Sequence, residues 1–363
     1  MRSISRRKAL LQAARSLGAA GLLSSVPWAD RAFAADSTLI GVTWGGPWIE
    51  GAKLITARQS KFEIRWELHA GPAAAIMSKI KAVWPNPLYD FVIQSDPHYF
   101  TWMREGWCEP LSYDEMPNLR DIPSVVRNDK GEIINIPTSN NAVFWGYRSD
   151  RVPFEIRKYQ DLLDPRLQGQ ICVRDVLEGQ NNMVALFAKA LGGDERNMEP
   201  GWQFMRELAK SGNVGRVGKS EVDFINSLTS GECSVGFWSL AAWGKVSQSV
   251  PCVFLNRVPG EKMFRTGLLT EAFLIPVNSK KKRQSKEFLN FFISPDNNAA
   301  YNQAINDAPS NIKSIAGKLA QTIVFDTPEL HDQFTIIFDA NYLSTQQNEM
   351  NNKWEKEIAP LLR

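Results

Sequence analysis

The sequence predicts an α/β protein built around a mainly parallel sheet. Short β-type runs alternate with amphipathic helical patterns along the first third of the chain. The runs occupy residues 38–43, 62–68 and 89–94, and the helical patterns occupy residues 48–59 and 73–83. This alternation is typical of parallel sheets, which bind ligands at the carboxyl ends of their strands. We therefore expect binding residues in the loops after Thr43 and Gln94.

A second group of elements begins near Phe144 and predicts a second lobe. Strand patterns occupy residues 170–173, 234–238 and 253–255, and helical patterns occupy residues 183–191, 221–228 and the region from 281 onward. A long apolar stretch at residues 268–277 lies between the last two groups. Its late position in the chain indicates a return to the first sheet.

Residues 1–34 are expected to be a removable export signal. Arg6 and Arg7 precede a weakly apolar stretch and a small-residue site ending at Ala34, which is the order of a twin-arginine leader. The general secretory route stays open because Ala9 stands where an aromatic residue is usual. Without the leader, 36 basic and 38 acidic residues give a net charge of −2, which offers no support for a nucleic-acid partner. We therefore expect a periplasmic protein.

Four ordered segments carry a family resemblance. They are YDFV at 89–92, YQDLLDPRLQGQI at 159–171, AFLIP at 272–276 and EFLNFFISPD at 287–296. With these segments the chain resembles the extracellular solute-binding proteins of bacterial ABC importers, in the polyamine- and iron-binding branch. The resemblance implies a type II periplasmic binding protein, in which two α/β lobes close on a solute by hinge motion and an inner-membrane permease recognises the closed form.

The resemblance also implies where the lobes divide. Lobe 1 would comprise residues 36–142 and 271–310, and lobe 2 would comprise residues 143–270 and 311–363. The chain would cross between them near residues 141–146 and 269–272. A monomer without catalytic activity or cofactor is expected, and delivery to a sensor instead of a permease stays open.

Aromatic and acidic residues are the expected solute contacts. In the family's polyamine members these residue types surround the ammonium groups, and Trp44, Trp238 and Glu271 stand at matching positions. Trp48 and Trp243 are expected to extend the aromatic set, because a Trp face attracts a cation by ~0.5–2 kcal/mol. The other interpretation of these tryptophans is ordinary core or groove packing.

The number of carboxylates bears on the solute. The Asp that the family's polyamine members carry near Ala241 is absent, while Asp175 and Glu178 are further candidates after the strand at 170–173. Each buried ammonium needs its own counter-charge. Glu271 as one retained acid therefore favours a monoamine, a quaternary ammonium compound or an amino sugar over putrescine or spermidine.

Polar loop residues supply neutral contacts in this interpretation. Ser95 and Asp96 follow the third strand in a loop that matches a contact loop of the family, and Asn140 lies in the polar run 138–141. Gly45 and Gly46 bring backbone amides to a helix start, where a carboxylate or phosphate of an amphoteric solute could bind. The same residues also suit structural caps and turns.

Metal binding and catalysis are the alternatives. Iron-binding members of the branch use adjacent tyrosines, which this chain lacks, and His69, His98 and His331 are widely spaced, so no metal site is expected. An exported enzyme is the alternative from another class, but neither Gly-x-Ser-x-Gly nor His-Glu-x-x-His occurs. Residues 212–220 resemble a phosphate loop with Asn213 in place of the first Gly, and we expect an ordinary loop there.

The four cysteines would meet an oxidising compartment after export. Cys233 and Cys252 lie in neighbouring apolar runs and are the candidate pair for a disulfide. Buried reduced thiols are the other interpretation.

Overall fold

The predicted strands lie in one mixed sheet. The computed structural model describes residues 38–69, 73–175, 182–260, 264–321 and 328–362, so the predicted leader and Glu178 lie outside the described residues. The strands are β1 (Leu39–Thr43), β2 (Ile64–Leu68), β3 (Phe91–Ser95), β4 (Ile136–Arg148), β5 (Ile171–Arg174), β6 (Val214–Gly218), β7 (Val235–Ser239), β8 (Cys252–Phe254), β9 (Thr266–Leu274), β10 (Ala308–Pro309) and β11 (Thr335–Ile337). Their order along the main path is β2-β1-β3-β9-β4-β7-β5-β6.

Helices cover the strands on both halves of this sheet. In the described residues they are α1 (Pro47–Thr56), α2 (Ala73–Val83), α3 (His98–Arg104), α4 (Asn182–Ala190), α5 (Glu199–Lys210), α6 (Glu221–Ser230), α7 (Leu240–Ser247), α8 (Lys282–Phe292), α9 (Pro295–Ile305), α10 (Lys318–Gln321), α11 (Pro328–Phe334) and α12 (Ala340–Lys353). The α/β class predicted from strand–helix alternation is confirmed.

The two central strands, β4 and β9, connect two groups of parallel strands. The first group is β2-β1-β3, and the second is β7-β5-β6. β3 and β7 each run antiparallel to their central neighbour, and β4 and β9 run antiparallel to each other. The two parallel groups therefore point in opposite directions across the sheet.

The strand register brings the carboxyl ends of both groups together. β3 ends at Ser95, which lies opposite Glu271 of β9, and β7 ends at Ser239, which lies opposite Val143 of β4. Glu271 and Val143 are four residues apart along the central pair, because Glu271 pairs with Ser139. The short central stretch between them is thus approached by strand ends from both sides, which is where open α/β sheets hold ligands.

The hydrophobic core is divided in the same way. One set of buried aromatic residues, including Phe91, Phe273 and Phe288, packs against the first strand group. Another set, including Trp145 and Phe187, packs against the second group. Residues Leu39–Arg363 nevertheless form one compact unit by their contacts, so the predicted lobe boundaries stay a prediction.

The segment 212–220, which we expected to be a loop, contains the strand β6 (Val214–Gly218). β6 pairs in parallel with β5, and its glycines permit close packing. A Cβ atom on Gly215 would lie 2.0 Å from the Gly169 carbonyl oxygen, and one on Gly218 would lie 2.9 Å from the Trp238 ring. Gly215 and Gly218 of this segment are therefore required by their close contacts with Gly169 and Trp238.

Candidate functional site

A cavity of about 200 Å³ lies where the carboxyl ends of the two strand groups meet. From the first group it is lined by Trp44, Gly45, Trp48, Leu68, His69 and Ser95, from the central strands by Asn141 and Glu271, and from the second group by Arg174, Ser220, Glu221 and Val222. Four of the predicted contact residues, Trp44, Trp48, Ser95 and Glu271, therefore share one cavity.

Glu271 is the buried carboxylate of this cavity, with 4% of its surface exposed. Trp44 Nε1 donates to its Oε2 at 3.1 Å, and Asn141 Nδ2 donates to its Oε1 at 3.2 Å. Desolvation raises the pKa of the Glu271 carboxyl, while these two hydrogen bonds and the charge of Arg174 act in the opposite direction. Each carboxylate oxygen retains a lone pair for a further donor.

The loop after β1 positions Trp44 beside this carboxylate. Gly46 has a φ of 63°, and Pro47 follows as the first residue of α1, so the chain turns sharply from strand to helix. The Trp44 ring lies on the His69 imidazole with 3.9 Å between centroids. His69 thus supports the indole from the neighbouring end of β2.

A second carboxylate belongs to the start of α6. Glu221 Oε2 accepts a hydrogen bond of 3.1 Å from Trp48 Nε1. Trp48 itself is almost fully buried and packs edge-on against Tyr301 with centroids 6.2 Å apart. The Trp48–Glu221 hydrogen bond connects α1, which follows the first strand group, with α6, which packs on the second.

Arg174 is the cationic side chain in the cavity lining. It is the last residue of β5, and its Cζ lies 4.9 Å from the centroid of the Trp238 ring. Trp238 is fully buried and stacks on Phe224 at 5.0 Å. Trp243 is also fully buried and contacts Phe224 edge-on at 5.1 Å. These two predicted solute contacts lie in the core behind the cavity lining, because the apolar rings fill the space between β7 and the helices.

The remaining predicted contacts also lie beside the cavity lining. Asp96 Oδ2 accepts a 3.2 Å hydrogen bond from the Thr270 amide, and desolvation raises the pKa of its carboxyl to about 8. Asn140 Nδ2 donates to the Pro309 carbonyl at 3.3 Å. The Asp175 amide donates to the Gly218 carbonyl at 3.0 Å, which continues the pairing of β5 with β6.

Sequence reasoning missed Arg174, Glu221 and His69 as lining residues, whereas Asn141 belongs to the polar run 138–141 that was expected to supply neutral contacts. Arg174 could have been found, since it ends a strand whose carboxyl end was expected to face the site. Glu221 follows Ser220, whose Oγ accepts the Asp223 amide at 3.1 Å, a helix N-cap that the sequence pattern indicates. His69 carries no such signal.

In the described ranges no group of three or more His, Cys, Asp or Glu side chains could hold a metal ion. His98 is buried, and desolvation lowers its pKa to about 4. No helix in the described part of the chain is long and apolar enough to cross a membrane.

A cavity between two oppositely directed groups of parallel strands is typical of α/β proteins that enclose a small ligand. The chain belongs to the bacterial extracellular solute-binding protein family, whose sequence profile matches residues 53–325. The resemblance to solute-binding proteins of ABC importers is therefore confirmed. The family is one of exported proteins that bind solutes for transport.

Solved structures have the same fold at low sequence identity. AfuA from Actinobacillus pleuropneumoniae, with fructose-6-phosphate bound, matches at 20% identity and a TM-score of 0.71, covering 88% of this chain and 98% of that one. AgtB from A. tumefaciens R10, in complex with agropinic acid, matches at 13% and 0.70, covering 89% and 98%. The spermidine/putrescine-binding protein PotD from Streptococcus pneumoniae matches at 16% and 0.64, covering 88% and 100%. No curated protein matches the sequence.

Proposed function

We propose that this solute-binding component of an ABC importer captures a small organic cation, either an amine or a quaternary ammonium compound, and delivers it to the membrane permease. The observation that carries this proposal is the buried Glu271 carboxylate in the cavity lining. A buried carboxylate is most favourable when a cation pairs with it, and desolvation strengthens that pairing.

The neighbours of Glu271 support a cationic solute. The Trp44 indole lines the same cavity, and an indole face attracts ammonium groups. Asn141 Oδ1 is buried and has no hydrogen-bond donor among the described residues. A solute N–H placed there would satisfy this acceptor, which otherwise costs free energy.

The size of the cavity favours a compact solute. Its volume of about 200 Å³ equals that of roughly seven water molecules at ~30 Å³ each in the liquid. A solute of similar volume is a small amine or quaternary ammonium compound. This supports the preference for a compact cation over an extended chain.

A diamine such as putrescine is the second candidate, and Glu221 favours it. Sequence reasoning assumed a single retained acid, whereas Glu221 is a second carboxylate in the lining. Two carboxylates can each pair with one ammonium group. Spermidine carries a third amine, for which the described lining holds no third carboxylate.

Thermal unfolding of protein that has been stripped of ligand by unfolding and refolding tests the proposal. The panel comprises small monoamines, choline, amino sugars, putrescine, spermidine and ferric salts. A ligand at ~100 times its Kd adds ~2.7 kcal/mol, a rise of a few degrees in a chain of this size. We expect a rise with compact organic cations.

The variant Glu271→Gln should weaken that binding by about tenfold or more, because it removes the charge but keeps the shape. Glu355→Gln, at an exposed glutamate of the C-terminal region, is the matched control and should bind normally. Stabilisation by iron alone, or equal binding by wild type and Glu271→Gln, would contradict a cationic solute.

A further inference from the structure

The cavity presents a cation as well as two carboxylates. Arg174 lies in the same lining as Glu271 and Glu221, and its charge acts on the Glu271 carboxyl. Arginine remains protonated under all physiological conditions. The lining therefore carries a positive group beside two carboxylates, so it offers partners to both a cation and an anion of a solute.

The guanidinium is positioned on a rigid aromatic support. The Cζ atom of Arg174 lies 4.9 Å from the centroid of the Trp238 ring. Phe224 stacks on Trp238 with 5.0 Å between the ring centroids. A guanidinium held over an indole ring by a cation–π contact keeps N–H groups that can donate to a planar anion. Trp238, predicted as a direct solute contact, acts in this arrangement through the arginine that it holds.

Backbone dipoles add to the positive potential on both sides. Gly45 precedes α1 and Ser220 precedes α6, and both residues line the cavity. Each of these helices has ten residues, and helix N-termini favour negative charge. These partial charges act together with the full charge of Arg174.

We propose that the solute is a compact zwitterion, with an ammonium or quaternary ammonium group at Glu271 and Trp44 and a carboxylate or phosphate group at Arg174. This inference rests on the proposed capture of an organic cation and adds the second charged group. The opposite charges of the solute would then match the opposite charges of the cavity, which gives specificity against simple cations.

Matched pairs of solutes test the inference by isothermal titration of the ligand-stripped protein. One pair is putrescine and γ-aminobutyrate, which have the same backbone length and differ at one end. A second set is choline, glycine betaine and phosphocholine, which separates a carboxylate from a phosphate. We expect a zwitterion to bind at least about tenfold tighter than its purely cationic counterpart.

Variants of Arg174 give the second readout. Arg174→Gln should remove the preference for the zwitterion by weakening zwitterion binding at least about tenfold, and Arg174→Lys should restore part of the preference. Arg65→Gln is the control, because Arg65 is an exposed arginine of β2 outside the cavity lining, and its loss should leave the preference for the zwitterion unchanged. Circular dichroism and unliganded thermal unfolding check that each variant is folded.

The outcomes separate this inference from the proposed function. Tighter binding of putrescine or choline than of every zwitterion would overturn the zwitterion and leave capture of a cation standing. Binding confined to anions without an amine, such as fructose-6-phosphate, would overturn both. A zwitterion preference that survives in Arg174→Gln would overturn the assignment of Arg174.

Discussion

Asp96 shows how a residue beside the cavity affects stability. Its Oδ1 is buried and its Oδ2 accepts the Thr270 amide. Desolvation is the largest cause that raises the pKa of this carboxyl to about 8. The charge of Glu271 also raises the pKa of this carboxyl, while a side-chain hydrogen bond with Tyr99 lowers it. At neutral pH the folded protein therefore keeps a proton on Asp96 that the unfolded chain releases.

We expect this proton to make stability fall with rising pH. A carboxyl whose pKa is raised on folding stabilises the fold fully below its unfolded pKa, near 4, and that contribution is lost as pH rises towards 8. Asp96→Asn should flatten this alkaline decline in urea unfolding between pH 5 and pH 8. His98, whose pKa is lowered to about 4, produces a decline of opposite sign as pH falls from about 6.5, and the variant should leave that acid limb unchanged. An unchanged alkaline slope in Asp96→Asn would contradict the assignment.

The cysteines are a second case at this scale. The sequence made Cys233 and Cys252 the candidate pair for a disulfide, because they lie in neighbouring apolar runs. The structure instead places Cys233 beside Cys172, with the two thiols in hydrogen-bonding contact. Cys252 Sγ instead donates to the Val250 carbonyl at 3.4 Å. All four cysteines are free thiols in this structure.

Refolding with oxidised glutathione should therefore join Cys172 to Cys233. The two thiols lose their protons and electrons to the glutathione disulfide, which leaves as two glutathione thiols. Peptide mapping without reduction detects the bridge, which Cys252→Ser should retain and Cys172→Ser should abolish. A bridge that includes Cys252 would contradict the contact seen here.

At the scale of elements, β6 depends on a glycine that permits close approach. Gly215→Ala would place a methyl group 2.0 Å from the Gly169 carbonyl, which is backbone and cannot turn aside. We expect a loss of roughly 1–3 kcal/mol in the free energy of unfolding, measured with urea, because the strand must shift from β5.

Gly317→Ala is the matched control for this substitution. Its added carbon would lie 3.3 Å from the Gln303 side chain, which can move, so we expect little change. Equal losses in the two variants would mean that the backbone contact at Gly169 does not decide the stability of β6.

At the scale of the whole molecule, the Trp48–Glu221 hydrogen bond connects the two halves across the cavity. An exposed ion pair between Lys245 and Glu50 joins α7 to α1 nearby. If the halves open by the predicted hinge motion, these contacts must break. They therefore favour the closed arrangement in the absence of solute.

Trp48→Phe keeps the ring against Tyr301 but removes the donor to Glu221. We expect the variant without ligand to have a larger radius of gyration in small-angle X-ray scattering than the wild type, and a saturating solute should reduce the difference. Trp202→Phe, a substitution in the core of the second half, is the control and should leave the radius unchanged. A radius of gyration in Trp48→Phe equal to that of the wild type would contradict a role of the Trp48–Glu221 hydrogen bond in favouring the closed arrangement.

The class of fold and the family could be predicted from the amino-acid sequence alone. The periods of strands and helices depend on near neighbours in the chain, so β1, β3, α6 and α8 could be located from local patterns. The same locality placed the site after Thr43 and after β3, because the ends of parallel strands face one edge. Trp44 and Glu271 followed from the family resemblance and line the cavity.

Which side chains face the cavity, and which lie behind the lining, depends on how the chain packs in three dimensions. Adjacent residues of a strand point to opposite faces, so a difference of one position separates Asn141 in the lining from Asn140 at Pro309. Trp238 and Arg174 are distant in sequence, and their cation–π contact exists only because β5 and β7 are neighbours. Contacts between such distant residues depend on how the strands pair, and local sequence patterns carry no record of that pairing.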